Sequence, residues 1–328
     1  YHGGGGVGQT PDYFGNNYFD DTYFRNGKPE KVEGYCTDVW FKEALAFIEK
    51  NRKKPFFAYL STNAPHGPFL VADSYRKPYL QNGVQPTMAS FYGMITNIDE
   101  NMGRLVKRLD ELKLKENTIL VFSSDHGTSA GSHGVHPWQK KYPYEESLRV
   151  PHIIRYPGVI KPGSTSDALF NITDFFPSLC GLCEMPVPRS IEGVDLSSTW
   201  RGERAAAEQE AVLIMNFSRK FDWFADGMEW RGVRTRGHTY ARWLDGRTQL
   251  YDLSRDPMQL HNLAGDATAA PLEAEMEERL RALQALRGDE LVACTEWKHW
   301  LDNQRRVIHN GFGPLGDPEG LPDWSLLH

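Results

Sequence analysis

Residues Ile119–Arg149 read ILVFSSDHGTSAGSHGVHPWQKKYPYEESLR, and the organisation of the whole chain is best understood from them. The opening apolar run, Ile119–Phe122, is typical of a strand buried on both faces of a parallel sheet. Asp125 and His126 follow where that strand leaves the sheet, and ligands of open α/β sheets bind outside the carboxyl ends of the strands. We therefore predict a cation site here. The alternative is that Asp125 caps a turn and His126 is a surface side chain.

A second apolar run, PFFAYL at residues 55–60, predicts another buried strand, and His66 lies shortly after its end. Apolar residues at three- and four-residue steps over 91–112 predict the helix that follows. A strand, a helix and a strand in this order form a unit with parallel strands. We therefore expect His66 to face the same crevice as Asp125, His126 and Lys140. From the residues alone, a turn histidine after a proline is the favoured interpretation of His66.

Several motifs occur in a specific order along the chain. They are Asn63-Ala64-Pro65-His66, Ser124-Asp125-His126-Gly127, Lys140 ahead of Tyr144-Glu145, Arg149-Val150-Pro151, and Leu250-Tyr251-Asp252-Leu253 with Asp256-Pro257 and Asn262-Leu263. In this order they resemble the sulfatase family of the alkaline phosphatase superfamily, from about residue 3 to about residue 264. The resemblance implies an α/β fold with a mixed, mostly parallel sheet sandwiched by helices, plus a small C-terminal antiparallel sheet with a helix. It also implies hydrolysis of an aryl or carbohydrate sulfate.

The resemblance assigns roles to four side chains. Asp125 and His126 match metal ligands, usually of Ca²⁺, although an imidazole ligand keeps Mg²⁺, Mn²⁺ and Zn²⁺ as alternatives. His66 and Lys140 match the histidine and lysine that bind the sulfate. An ammonium group places a point charge on the sulfate, and an imidazole can donate a proton to the leaving oxygen. Lys141 points elsewhere if this segment is extended.

The nucleophile implied by the resemblance has no counterpart in this sequence. In the family it is a formylglycine, made from Cys or Ser in a Cys/Ser-x-Pro/Ala-x-Arg motif, and no cysteine or serine here lies in that pattern. The family's adjacent aspartates at the end of its first strand are also unmatched, because no apolar strand precedes Asp20-Asp21. The chain has no initiator Met. We therefore expect a fragment, with the formylglycine and half of the metal shell encoded upstream of Tyr1.

The pattern changes near residue 205, which predicts two parts. Residues 1–205 are expected to be the C-terminal part of the α/β catalytic domain, and residues 206–328 a small α+β subdomain and tail. Short strands are predicted at 211–216, 229–235, 239–243 and 249–253, with helices at 271–286 and 297–308. In the first part, helices are predicted at 35–50 and 173–182 and a strand at 150–155, whereas residues 1–34 and 74–86 are predicted to be irregular.

Several other side chains have two readings. His133 and His136 could contact substrate or be exposed loop histidines, and Glu145 is expected to pair with Arg149. Trp138, Trp223 and Trp230 could stack on a sugar or aryl group, or could simply pack. Cys180 and Cys183 are predicted to be buried thiols rather than a metal site.

Composition limits the partners. The net charge of −6 provides no basic footprint, so a nucleic-acid partner is not expected. The sequence contains no run of about eighteen apolar residues, so no membrane span is predicted. The expected partner is a small-molecule or glycan sulfate ester, in a periplasmic or secreted protein as the family suggests. The alternative functions are a non-catalytic sulfatase-fold protein that binds sulfated glycan, and a phosphodiesterase or phosphatase of the same superfamily.

Overall fold

The structure is a computed structural model that describes residues 17–203, 208–216 and 229–293, together with the backbone of two short strands beyond them. Packing divides the chain into two compact units, residues 1–118 and residues 119–328. The predicted boundary near residue 205 lies outside the described residues, as does the predicted helix at 297–308. Both stay predictions.

The first unit begins with a hairpin that the sequence analysis missed. Strand β1 (Thr22–Arg25) pairs antiparallel with β2 (Lys28–Lys31). The turn between them is Asn26-Gly27, with both residues in the left-handed region at φ 51° and 79°. Asn-Gly is the preferred sequence for such a two-residue turn. The signal was therefore present within the segment predicted to be irregular.

Three helices form the rest of this unit: α1 (Cys36–Asn51), α2 (Asp73–Gln81) and α3 (Pro86–Glu111). The first and third confirm predicted helices. The prediction of irregular structure over 74–86 was wrong, because most of α2 lies there and packs closely on α3 at Gly93. A Cβ atom at that glycine would lie 3.1 Å from the backbone carbon of Tyr75.

The contact between α1 and α3 is polar as well as apolar. The carboxylate of Asp38 accepts hydrogen bonds from the side-chain amides of Asn97 and Asn101, at 3.0 and 2.7 Å. Asn101 is buried within this contact. Both amides are satisfied, as buried polar groups require.

The predicted strand at residues 55–60 does not form, and the strand–helix–strand unit is corrected with it. The segment has no regular secondary structure, and Phe57 and Tyr59 are 75% and 81% exposed. A strand is stabilised by hydrogen bonds and side-chain pairs with its neighbours. None of the described strands pairs with this segment, so its β-prone sequence alone does not make it a strand.

The second unit contains β3 (Leu120–Ser123), α4 (Glu145–Leu148), β4 (His152–Arg155), α5 (Phe175–Leu182) and α6 (Ser197–Arg201). β3 and β4 pair antiparallel, with Ser123 opposite His152, and β3 is half-buried rather than buried. Cys180 is buried as predicted, but Cys183 is exposed.

The C-terminal antiparallel sheet and its helix confirm the prediction for this region. Strands β5 (Ala211–Asn216), β6 (Trp230–Thr235), β7 (His238–Trp243) and β8 (Thr248–Asp252) are neighbours in that order, all antiparallel. Helix α7 (Ala270–Arg287) covers one face. The shared core consists of Val233, Tyr240, Leu250, Met276 and Leu280. Two further two-residue strands, β9 (His309–Asn310) and β10 (Gly313–Pro314), pair antiparallel.

Candidate active site

Asp125 and His126 follow β3 directly, as the sequence predicted, and their side chains contact each other. Nε2 of His126 lies 3.2 Å from Oδ2 of Asp125. The other carboxylate oxygen, Oδ1, accepts from the His126 backbone N–H at 2.9 Å and from the Ser124 hydroxyl at 3.3 Å. The Asp125 carboxylate is largely exposed. Local backbone contacts thus orient a carboxylate and an imidazole toward the same point.

The hydrogen bonds of the His126 ring determine what can lie at that point. Nδ1 is 2.9 Å from the carbonyl oxygen of Gly127, which can only accept, so Nδ1 carries a hydrogen. In a neutral ring Nε2 is then an acceptor that faces the carboxylate of Asp125. Two acceptors at this distance repel each other unless a cation lies between them.

The loop after His126 closes on itself and brings Lys140 back. The N–H of Ser129 donates to the carbonyl of Gln139 at 2.7 Å, and the N–H of Trp138 donates to the carbonyl of Ser129 at 2.6 Å. This antiparallel bridge joins Ser129 to Gln139. Lys140, the next residue, therefore lies beside the segment that contains His126, although fourteen positions separate the two residues in the sequence.

Gly127 lets this segment lie directly against α4. Its N–H donates to the carbonyl of Ser147 at 2.9 Å. A Cβ atom at this position would lie 1.9 Å from the carbonyl oxygen of Glu146, so no larger residue fits without displacing the helix. Gly127 belongs to the motif at residues 124–127, but its close approach to α4 could not be predicted from that motif.

His133 is not an exposed loop histidine, which corrects that interpretation, whereas its contact with a substrate stays a prediction. Its side chain is 6% exposed and its Nε2 lies 3.2 Å from each carboxylate oxygen of Glu146. The ring stacks on Tyr144, with centroids 3.8 Å apart and an interplanar angle of 3°. His133 therefore fastens the middle of the loop to α4. His136, in contrast, is exposed.

The C-terminal sheet contacts the segment that contains Lys140 and Lys141, which we call the lysine segment. The buried indole of Trp230 donates from Nε1 to the carbonyl of Lys141 at 2.7 Å, so this tryptophan packs and does not offer a stacking surface. The predicted pairing of Glu145 with Arg149 is corrected, since the carboxylate of Glu145 pairs with Arg234 on β6 at 3.3 Å. Trp223 lies outside the described residues.

Burial also changes the ionisation of the lysine next to Lys140. Desolvation lowers the pKa of Lys141 to about 8, because removal from water disfavours the charged ammonium. The Nζ atom lies 5.5 Å from the centre of the Tyr142 ring. Lys141 is thus turned into a partly apolar environment.

His66 belongs to the first unit and is held by its backbone. Its carbonyl oxygen accepts from the hydroxyl of the buried Tyr18 at 2.7 Å, and its N–H donates to the carbonyl of Asn63 at 2.9 Å. The side chain of Asn63 accepts in turn from the indole of Trp40 at 2.9 Å. The exposed His66 ring has Nδ1 2.7 Å from the Gly67 carbonyl, which leaves Nε2 facing outward.

Asp125, His126 and Lys140 thus all lie in the second unit, in the loop between β3 and α4. His66 lies in the first unit, and its predicted position at the same crevice stays a prediction. Asp20 and Asp21 have structural roles, because each accepts a backbone N–H, from Gly34 and Thr22 respectively, at 2.7 Å.

Comparison with known proteins identifies the family. The family model described as Sulfatase matches residues 5–185, more than half of the chain. The chain belongs to the sulfatase family. A second family model, described as the C-terminal part of N-sulphoglucosamine sulphohydrolase, matches residues 131–286. This range includes the lysine segment, the C-terminal sheet and most of α7.

The names of two relatives of this sulfatase-family chain describe sulfatases with carbohydrate substrates. It is 37% identical over 298 residues to an ulvan-active sulfatase of Formosa agariphila, covering 84% of this chain and 57% of that protein. It is 31% identical over 206 residues to an N-acetylglucosamine-6-O-sulfatase of Bacteroides thetaiotaomicron, covering 61% of this chain and 36% of that protein. The matched part of the chain therefore spans 57% of the first relative and 36% of the second.

Solved structures confirm the fold. A protein solved in complex with its substrate D-glucosamine-2-N,6-O-disulfate matches with a TM-score of 0.73 at 22% identity, covering 85% of this chain and 74% of that one. This likeness confirms the α/β, alkaline phosphatase-like fold with its C-terminal antiparallel sheet and helix. Among the strands described here, every pairing is nevertheless antiparallel.

Sulfatases generally depend on a divalent metal. Within the described ranges, no group of three or more His, Cys, Asp or Glu side chains is placed to hold a metal ion. Among the helices described for this chain, none has both the length and the apolar character needed to cross a membrane.

Proposed function

We propose that the protein is a sulfuric ester hydrolase acting on an aryl or carbohydrate sulfate, with a sulfated sugar favoured. The family and the names of the relatives support this proposal. Because the chain spans only 57% of the ulvan-active relative, the activity is proposed for the natural protein to which this chain belongs. A periplasmic or secreted location is proposed with it.

The observation that carries the proposal is the return of Lys140 to the Asp125–His126 segment through the Ser129–Gln139 bridge. Hydrolysis of a sulfate ester builds negative charge on the sulfuryl oxygens and on the leaving oxygen. Fixed positive groups stabilise that charge without reorganising during the reaction. The ammonium group of Lys140, held on a braced loop, is such a group.

Asp125 and His126 fit a role as two ligands of a divalent metal, proposed to be Ca²⁺. Their facing atoms are 3.2 Å apart, and neighbouring ligands of one metal lie ~3–3.5 Å apart when the bonds are about 2.0–2.5 Å long. The hydrogen on Nδ1 leaves Nε2 free to coordinate. When bound, the metal would stabilise negative charge on the sulfate oxygens.

His66 is proposed as the donor to the leaving oxygen. Its Nδ1 donates to the carbonyl of Gly67, so Nε2 is the atom that can hold and transfer a proton. A formylglycine nucleophile, if the natural protein has one, would come from residues outside this sequence, since no Cys/Ser-x-Pro/Ala-x-Arg motif occurs here.

Turnover of a chromogenic aryl sulfate and of a sulfated monosaccharide by the natural protein tests the proposal. Lys140→Ala should lower kcat by at least ~100-fold, comparable to losing one transition-state donor. Lys161→Ala, at an exposed position, should leave kcat unchanged. No hydrolysis of any sulfate ester by the natural protein would refute the function. A larger loss in Lys141→Ala than in Lys140→Ala would refute the assignment of the lysine.

A further inference from the structure

Gln259 combines deep burial with an unfavourable backbone conformation. The residue is 2% exposed and has a φ of 53°. This left-handed region is costly for residues with a long side chain and is usually occupied by Gly, Asn or Asp. A glutamine at such a position indicates that its side chain makes contacts that offset the strain of its backbone.

Those contacts are with the segment just after the lysines. Oε1 of Gln259 accepts from the backbone N–H of Glu145 at 2.6 Å, and Nε2 donates to the carbonyl of Pro143 at 3.4 Å. One amide thus satisfies a donor and an acceptor two residues apart. The Pro143 carbonyl and the Glu145 N–H belong to the chain between Lys141 and the first turn of α4, so the amide fixes the path of this connection.

The turn that contains Gln259 is itself held by hydrogen bonds of Asp256 and Asn262, which belong to the motif at residues 250–263. The N–H of Gln259 donates to the carbonyl of Asp256 at 3.0 Å, and the Asp256 carboxylate accepts from the N–H of His261 at 2.7 Å. The side chain of Asn262 accepts from the N–H of Leu250 on β8 at 2.9 Å. Asp256 and Asn262 therefore fasten the turn around Gln259 to the C-terminal sheet.

We propose that Gln259 is a positioning residue for Lys140: its amide, with the indole of Trp230 on Lys141, sets the direction in which the lysine segment leaves the loop. The inference deepens the proposed function and rests on it for the role of Lys140. Gln259 acts through the backbone at Pro143 and Glu145 and not by touching a substrate. The C-terminal turn and sheet thereby take part in aligning the group that binds the sulfate.

The left-handed backbone of Gln259 allows stability and positioning to be separated by mutation. Gln259→Gly removes the amide but also relieves the strain, so the two effects on stability oppose each other. Gln259→Glu keeps the chain length and the oxygen that accepts from Glu145, but an ionised carboxylate cannot donate to Pro143, so it serves as a partial rescue of the Glu145 contact. Glu184→Gly is the matched control, because Glu184 has a similar φ of 55° at an exposed position.

Two measurements on the 328-residue chain test the contacts of Gln259 with Pro143 and Glu145, and neither requires catalytic turnover. In Gln259→Gly, hydrogen exchange of the Glu145 amide should be about ten-fold faster, because its acceptor is lost. The midpoint of Lys141 acetylation against pH, which burial places at about 8, should rise toward the ordinary value of about 10.4. Melting temperatures should change little, and Gln259→Glu should recover the Glu145 amide protection.

The same variants in the natural protein test the consequence for Lys140. Gln259→Gly should lower kcat for an aryl sulfate by ~10–100-fold with a smaller change in KM, because a misplaced catalytic group mainly affects the transition state. Gln259→Glu should restore part of that loss, and Glu184→Gly should not change kcat.

The inference is overturned if Gln259→Gly leaves the Glu145 exchange rate and the Lys141 midpoint unchanged, or if an active natural protein keeps its kcat. Failure of the proposed function looks different, since the unmodified natural protein would then hydrolyse no sulfate ester. In that case the exchange and acetylation results still decide whether Gln259 positions the lysine segment.

Discussion

Breaking the buried ion pair between β6 and the segment after α7 should be among the most destabilising single changes in the second unit. Arg231 is 1% exposed, and its Nε donates to both oxygens of Asp289 at 2.9 and 2.7 Å. The remaining guanidinium nitrogens donate to the backbone carbonyls of Asn216, Trp230 and Glu290 at 3.2–3.3 Å. The sheet strand next to Trp230 is thereby tied to the segment after α7.

Arg231→Met keeps most of the stem of the side chain and removes its charge. It leaves the carboxylate of Asp289, which is 13% exposed, with only the amide of Gln284 at 3.1 Å among the side-chain contacts described. Removing one partner of a buried ion pair typically costs about 3–5 kcal/mol. Because water still reaches part of Asp289, we expect a loss of about 3 kcal/mol in the free energy of unfolding.

Urea denaturation of the 328-residue chain, followed by circular dichroism, measures this loss. The double variant Arg231→Met/Asp289→Leu should be less destabilised than Arg231→Met alone, because no unpaired charge stays buried. Arg255→Met is the control, since Arg255 forms an exposed pair with Asp252 at 3.6 Å and such pairs contribute within ~1 kcal/mol. A loss below about 1 kcal/mol in Arg231→Met, or a double variant at least as unstable, would refute the reasoning.

Three further predictions concern the site and its surroundings. Gly127→Ala should displace α4 and destabilise the chain by at least ~1 kcal/mol, given the 1.9 Å approach to the Glu146 carbonyl; Gly103→Ala, with open space around its Cβ, should be neutral or stabilising in the same denaturation assay. Burial lowers the pKa of His152, so the unfolded chain binds the proton more readily, and stability should fall as pH drops below about 6.5; His152→Phe should remove that slope in denaturation curves between pH 7 and 5. The 328-residue chain by itself should not turn over an aryl sulfate, because it holds no formylglycine motif and loss of a nucleophile costs about six powers of ten in turnover; cleavage that survives purification and disappears in His66→Ala would contradict this.

The sequence predicted the elements of the second half closely. The strands at 211–216 and 239–243 and the helix at 271–286 agree with β5, β7 and α7 within about one residue. Two- and 3.6-residue periodicities are local properties, so they can be read without knowing the partners. The placement of Asp125 and His126 directly after a strand followed from the same kind of pattern.

Pairing between strands could not be read in this way. Residues 55–60 have the composition of a strand but form none, and β3 pairs with β4 antiparallel. An apolar run records a preference for a pleated, half-buried surface and does not specify its neighbours. The missed hairpin at Asn26-Gly27 is different, because its turn signal was present in the sequence.

The family, most of the local elements and the choice of four candidate side chains could be predicted from residue types at short spacings. The pairing of Glu145 with Arg234 rather than Arg149 could not, because it depends on the packing of distant elements. In the same way, Gln259 reaches the segment after the lysines across 114 positions of the chain. A side chain pairs with whichever group the packing of distant elements brings within about 3 Å. No local pattern encodes that choice, since it depends on the cooperative folding of the sheet, the turn and the loop together.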